Sequence, residues 1–140
     1  MQLERDCYQP HHEESYMNLR QKEFFRAKLV DWRERLDSER QASLQRIRTT
    51  DMSGGDVIDQ SVKEHDKTMD YFTRRRTETT IAKINAALNR LKDGSYGYCL
   101  ESGEEIGLKR LLAYPIATLS VEAQEFSEEH QRVHQYSIAL

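Results

Sequence analysis

Residues 18–48 contain no glycine or proline, and this unbroken run limits the fold more than any other feature of the chain. Within it Phe25, Leu29, Trp32, Leu36, Ser43 and Ile47 recur at spacings of three and four or their sums, the period of one helical face. A helix over that run is about 45 Å long at 1.5 Å per residue. A chain of 140 residues holds one compact domain, or a small body with an extended element, so it cannot cover such a helix on all sides. The sequence therefore predicts a helix that projects.

The pattern stops at TTDMSGGD, residues 49–56, where adjacent glycines and short polar side chains favour a reversal. From 57 to 92 Ile58, Val62, Met69, Phe72, Ile81, Ile84, Leu88 and Leu91 again suggest one apolar face. Neither helix buries its stripe alone, and the near-heptad spacing predicts an antiparallel coiled coil. The stripe weakens only over residues 76–80, where polar seam positions would leave a hinge or a basic ligand site. Glycines at 94 and 97 end the second helix. The expected organisation is a strap over 1–17, a hairpin over 18–92 with its tip near 49–61, and a small globular region over 93–140 closed by a C-terminal helix. In the globular region Tyr96, Tyr98, Ile106, Leu108, Leu111, Leu112, Ile116, Leu119 and Phe126 are the expected core, and the last helix is expected to pack on the hairpin base.

Charge narrows the partners. Lysine and arginine total 21 and aspartate and glutamate 24, for a net charge of -3, so no overall field draws the chain to nucleic acid or an anionic membrane. A protein partner is expected, with no sequence-specific DNA binding and no membrane. No run approaches the roughly 20 apolar residues of a membrane helix, and residues 1–18 lack an apolar signal core; a cytoplasmic monomer is expected. Cys7 and Cys99 stand far apart and read as reduced thiols.

The hairpin, the acidic DVID at residues 56–59, the GYC-x-x-x-G-x-x-I-G segment at 97–107 and R-L-x-A-x-P-x-A at 110–117 occur in one order with helical spacers between them. This ordered set, from about residue 16 to 131, resembles the DksA/TraR family. The resemblance implies a mainly α fold, a long coiled-coil hairpin beside a small zinc-finger-like domain. It also implies a non-enzymatic regulator that enters the secondary channel of bacterial RNA polymerase, shortens the life of promoter open complexes and so represses ribosomal RNA promoters in the stringent response, often with the alarmone ppGpp.

Three residue sets follow from the resemblance. The family tip D-x-x-D-x-A matches Asp56, Asp59 and Ser61: both acids are kept and the alanine is not. Two carboxylates at a helix start also complement the helix dipole and cap it, so a capping role and a polymerase-directed role both stand. The four zinc-ligand positions match Cys99, Ser102, Ser120 and Ala123, leaving one thiolate where tetrahedral ligation needs four soft donors; no zinc is expected, and stability independent of zinc supply is. The basic ppGpp positions match Arg76, Lys83, Tyr114 and Gln124, so half of the cationic charge is gone and a weakened ppGpp response is expected. Arg74 and Arg75 complete a basic run beside Arg76.

His130 and His134 share a helix face, with His11 and His12 as conceivable neighbours, but H-Q-R-V-H lacks the glutamate of the H-E-x-x-H motif, and solvated side chains are the expectation. No phosphate loop or paired nucleophile suggests an enzyme. The alternatives are a Gre-like transcript-cleavage modulator, whose tip acids would hold a Mg²⁺, and a structural coiled-coil adaptor.

Overall fold

The computed structural model describes residues 7–51 and 57–138; at 50, 51, 57 and 58 only the backbone is described. Four helices follow in order: α1 (Leu19–Asp51), α2 (Val57–Asp93), α3 (Leu108–Ala113) and α4 (Val121–Ile138). Helix α1 runs three residues past the expected end at 48, and the glycine turn itself lies outside the described residues. With 33 and 37 residues, α1 and α2 are about 50 and 55 Å long. Among the described residues there is no strand. In the globular region β pairing among the described residues is limited to an antiparallel bridge between Tyr98 and Glu105.

The chain divides into two compact units, Met1–Lys28 with Ala87–Leu140, and Leu29–Ala86. In the first unit the core is aromatic and aliphatic: Phe25, Tyr96, Ile106, Leu108, Leu111 and Ile116 are buried. Phe25 and Tyr96 meet with ring centroids 5.6 Å apart. The buried Tyr96 hydroxyl donates to Pro115 O at 2.8 Å, so a phenol is buried with its polar end satisfied, and burial pushes its pKa up.

Residues before α1 take part in this unit through Tyr16. Its hydroxyl donates to Gly97 O at 2.6 Å and accepts the Gly107 N–H at 3.0 Å, and its ring stands edge-on to Tyr98. Gly97 has φ +89°, and a Cβ there would lie 2.9 Å from Met17 Cγ; only glycine meets both demands. Gln21, wholly buried, accepts the Met17 N–H and donates to Glu14. Glu14 in turn accepts the Tyr8 hydroxyl at 2.5 Å. The half-buried glutamate and the buried glutamine thus satisfy each other and the chain entering α1.

Of the expected globular core, Phe126 is misplaced: it is 60% exposed, and α4 contributes no buried residue. Helix α4 has Ala123, Gln124 and Ser127 half-buried and the rest of its side chains exposed. Phe126 instead stacks on His130 one turn along, with centroids 4.4 Å apart.

The second unit is an antiparallel helix pair. Arg33 Nη1 donates to Asn85 Oδ1 at 2.9 Å, while Arg46 and Ile47 share a groove with Lys63, Asp66 and Asp70, so position numbers rise on α1 as they fall on α2. On α1 Leu29, Trp32, Leu36, Ser43 and Ile47 are all buried or half-buried, as their spacing predicts. On α2 the expected stripe breaks. Ile81 and Ile84 are covered, but Val62, Met69 and Phe72 are 56, 55 and 60% exposed. Phe72 and Ile81 are nine residues apart, which at about 100° per residue is half a turn out of phase. The covered positions in the earlier part of α2 are Lys63, Asp70, Arg74 and Thr77.

Candidate functional site

The acidic motif opens α2. Asp59 lies in the first turn of that helix and its side chain is exposed, as is that of Ser61. Asp56 lies outside the described residues. A carboxylate in a first turn is favoured by the helix dipole by roughly 0.3–1 kcal/mol, so Asp59 stabilises the start of α2 while facing solvent.

The four ligand-like positions are gathered in the first unit. Cys99 is buried, and the Ser102 N–H reaches its Sγ at 3.5 Å. Burial alone would raise the thiol pKa; the Ser102 hydroxyl and the backbone N–H groups of Ser102, Ser120 and Glu101 outweigh it and lower the pKa to about 6. Donors from both segments thus converge on one sulfur. The other positions have different work. Ser120 Oγ accepts the Ala123 N–H at 3.3 Å and Ser120 O accepts the Gln124 N–H at 2.9 Å, the geometry of a helix N-cap. Ser102 Oγ accepts the Glu104 N–H at 3.4 Å. One thiolate, two engaged hydroxyls and a methyl do not fit a tetrahedral zinc site, which needs four donors able to bind the ion. The segments are joined instead by backbone: Leu100 N–H to Thr118 O at 2.9 Å, and Cys99 N–H to Glu104 O at 2.7 Å.

The four positions matched to ppGpp divide between the units. Arg76 and Lys83, both exposed, stand on α2 one heptad apart. Tyr114 caps the end of α3 and is 44% exposed; the Gln124 side chain donates to Glu128 at 2.7 Å. Arg75 is exposed, whereas Arg74 turns toward the seam, where its Nε is shielded from solvent without a hydrogen-bond partner.

His130 and His134 line a shallow depression of about 550 Å³ with Glu101 and Phe126. Among the described residues no three histidine, cysteine or carboxylate side chains form a metal-binding group. His11 pairs with Glu14 at 3.5 Å, and His12 is exposed.

Sequence reasoning missed two groups. Tyr16 and Gln21 carry no pattern that marks them as anchors, because their partners are 81 or more residues away for Tyr16 and local turn geometry for Gln21. The exposed row Val62, Met69 and Phe72 did carry a signal, the nine-residue step to Ile81.

Two family models match the chain, one for the N-terminal domain of DnaK suppressor protein DksA over residues 21–91 and one for the prokaryotic dksA/traR C4-type zinc finger over residues 94–129. The second match holds although the matched segment contains a single cysteine, Cys99. The RNA polymerase-binding transcription factor DksA of Caulobacter vibrioides (strain NA1000 / CB15N) is 43% identical over 132 residues, 94% of this chain and 93% of the relative. The protein of the same name from Escherichia coli (strain K12) is 30% identical over 125 residues, 89% and 83% of the two chains. Transcription factor DksA2 from Pseudomonas aeruginosa is similar in structure, with TM-score 0.81 and 34% identity over 92% of this chain and 98% of that one. Among the described residues no helix is long and apolar enough to cross a membrane. The two family models, which together span residues 21–91 and 94–129, and relatives that cover 89–94% of the chain make it a member of the DksA/TraR family.

Proposed function

We propose that the chain is a transcription regulator that binds bacterial RNA polymerase through the α1–α2 hairpin and acts without making or breaking covalent bonds. The observation that carries this reading is Asp59, an exposed carboxylate in the opening turn of α2, in a chain whose relatives bear the name RNA polymerase-binding transcription factor. In this reading the tip, Asp56, Asp59 and Ser61, enters the secondary channel and destabilises promoter open complexes. A carboxylate 4 Å from a cation near a protein surface is worth about 4 kcal/mol. A tenfold change in open-complex lifetime needs only about 1.4 kcal/mol. One well-placed acid is therefore sufficient, and Ser61, polar where the family has alanine, tunes the contact.

Zinc has no part in this reading, since the globular unit is held by its aromatic core and backbone pairing. Arg76 and Lys83 supply the retained cations for ppGpp at the polymerase interface. Tyr114 and Gln124 supply no charge, and Gln124 is engaged with Glu128, so ppGpp enhances the effect weakly. The protein works as a cytoplasmic monomer.

The test is the lifetime of open complexes on a ribosomal RNA promoter. Wild-type protein should shorten it in zinc-free buffer, and Asp59→Asn should bind polymerase yet lose most of the shortening. Equal shortening by both would remove the tip charge from the mechanism.

A further inference from the structure

Among the described residues of the hairpin unit, Leu29–Ala86, the buried side chains are those of Leu29, Ile84 and Ser43. The two apolar ones lie within about one helical turn of the hydrogen bond from Arg33 to Asn85. Farther along α1 the seam changes character. Leu36 and Ile47 are only half-buried, a serine takes the buried position between them, and the half-buried Asp37 and Arg40 pair with each other along their own helix at 2.6 Å. On α2 the covered positions opposite are Lys63, Asp70, Arg74 and Thr77, and Arg74 brings its Nε into the seam without a hydrogen-bond partner. A long helix keeps its shape in water mainly through the apolar face it packs, and polar residues at seam positions lower that support. The backbone of α2 is weakened over the same stretch. Thr68, Thr73, Thr79 and Thr80 each turn the hydroxyl back to the carbonyl four residues before, those of Glu64, Met69, Arg75 and Arg76, at 2.9 or 3.0 Å. Threonine is a poorer helix former than alanine or leucine, and such back-bonding loosens a helix slightly.

We propose that residues 63–80 of α2, with residues 36–47 of α1 across the seam, form an opening segment: it parts and re-forms as one piece while the Leu29 and Ile84 end stays paired. Local opening follows sparse apolar burial, and here burial is sparse on both helices at the same level. Helix propensity and seam chemistry point to the same stretch independently, since the threonine hydroxyls face their own helix and Arg74 faces the other. The device does not depend on polymerase binding. It gives the part of the hairpin next to Asp59 a freedom to readjust that the Leu29 and Ile84 end lacks.

The experiment is residue-resolved amide hydrogen exchange, followed by NMR on the full chain, in wild type, Arg74→Leu and Ile84→Val. In wild type the amides of 36–47 and 63–80 should share one opening, at least about tenfold more populated than the opening that exposes Ile84. Arg74→Leu replaces an unpartnered polar group in the seam by an apolar one and should make the shared opening about fivefold rarer. Ile84→Val loosens the paired end. It should speed exchange around residue 84 by about fivefold yet leave the shared opening unchanged, because residue 84 stays packed while the segment is open. Equal protection along both helices overturns the proposal. So does a gradient from the turn that Arg74→Leu leaves as it was or steepens, which is ordinary fraying of helix ends. Ile84→Val speeding the whole hairpin alike would mean that the hairpin opens only as a whole, and overturns it too.

Discussion

The globular unit and the tip-side half of the hairpin dispose of their side chains in opposite ways. In the globular unit Phe25, Tyr96 and Leu111 are fully buried, and the Tyr96 hydroxyl and the Gln21 amide have partners. Between residues 62 and 77 of α2 the large apolar side chains face water and the seam holds Asp70, Arg74 and Thr77. Burial of a large side chain is worth about 1.5–3 kcal/mol, so cohesion is concentrated in the first region and reactivity of surface in the second. The segment matched to a C4-type zinc finger holds a single cysteine, Cys99, and the division bears on how such a body is held. The first region packs an aromatic and aliphatic core, while the hairpin keeps a surface poorly optimised for its own stability.

This contrast can be broken in three ways. The largest effect is expected from Phe25→Ala, which should lower unfolding free energy by about 3–5 kcal/mol in urea titrations; a loss similar to that of Met69→Gln would erase the distinction between the regions. A smaller change of opposite sign is expected at Arg74, whose Nε is buried without a partner. Arg74→Leu should raise stability by about 1 kcal/mol, and a fall would show that this guanidinium anchors the seam. The smallest effect concerns metal. Protein purified without added zinc should contain substoichiometric zinc, and a chelator should leave its helicity and melting temperature unchanged; stoichiometric metal whose removal unfolds the globular unit would contradict packing as its support.

Much of this was legible in the chain. The spacing of Phe25, Leu29, Trp32, Leu36, Ser43 and Ile47 gives the inner face of α1 without exception, because a glycine-free run leaves the helical period as the only variable. On α2 the same reasoning failed from Val62 to Phe72. Apolar residues were taken as inner by type, whereas the winding between Phe72 and Ile81 puts them half a turn apart. The segment over 76–80, where the stripe fades, is the place where the apolar pattern changes face. Phe126 failed for a related reason: an aromatic on an amphipathic helix looks like core until a surface is found to receive it, and α4 buries none of its residues.

The candidate site divides along similar lines. Asp59, Arg76, Lys83 and the four ligand-like positions could be named from the family resemblance, which rests on short local motifs. What those residues do in the folded chain was not local. That Ser120 serves as a helix cap, that amide and hydroxyl donors gather on Cys99 and hold its pKa near 6, and that Tyr16 bridges Gly97 and Gly107 all depend on segments brought together by packing.

By itself the sequence determined that two long helices form and pair, because glycine placement and helical period act within a few turns of backbone. Only the tertiary structure decided which side of α2 faces α1, since seam register is set by the partner helix, and a chain with apolar residues on two faces of one helix leaves that choice to the fold.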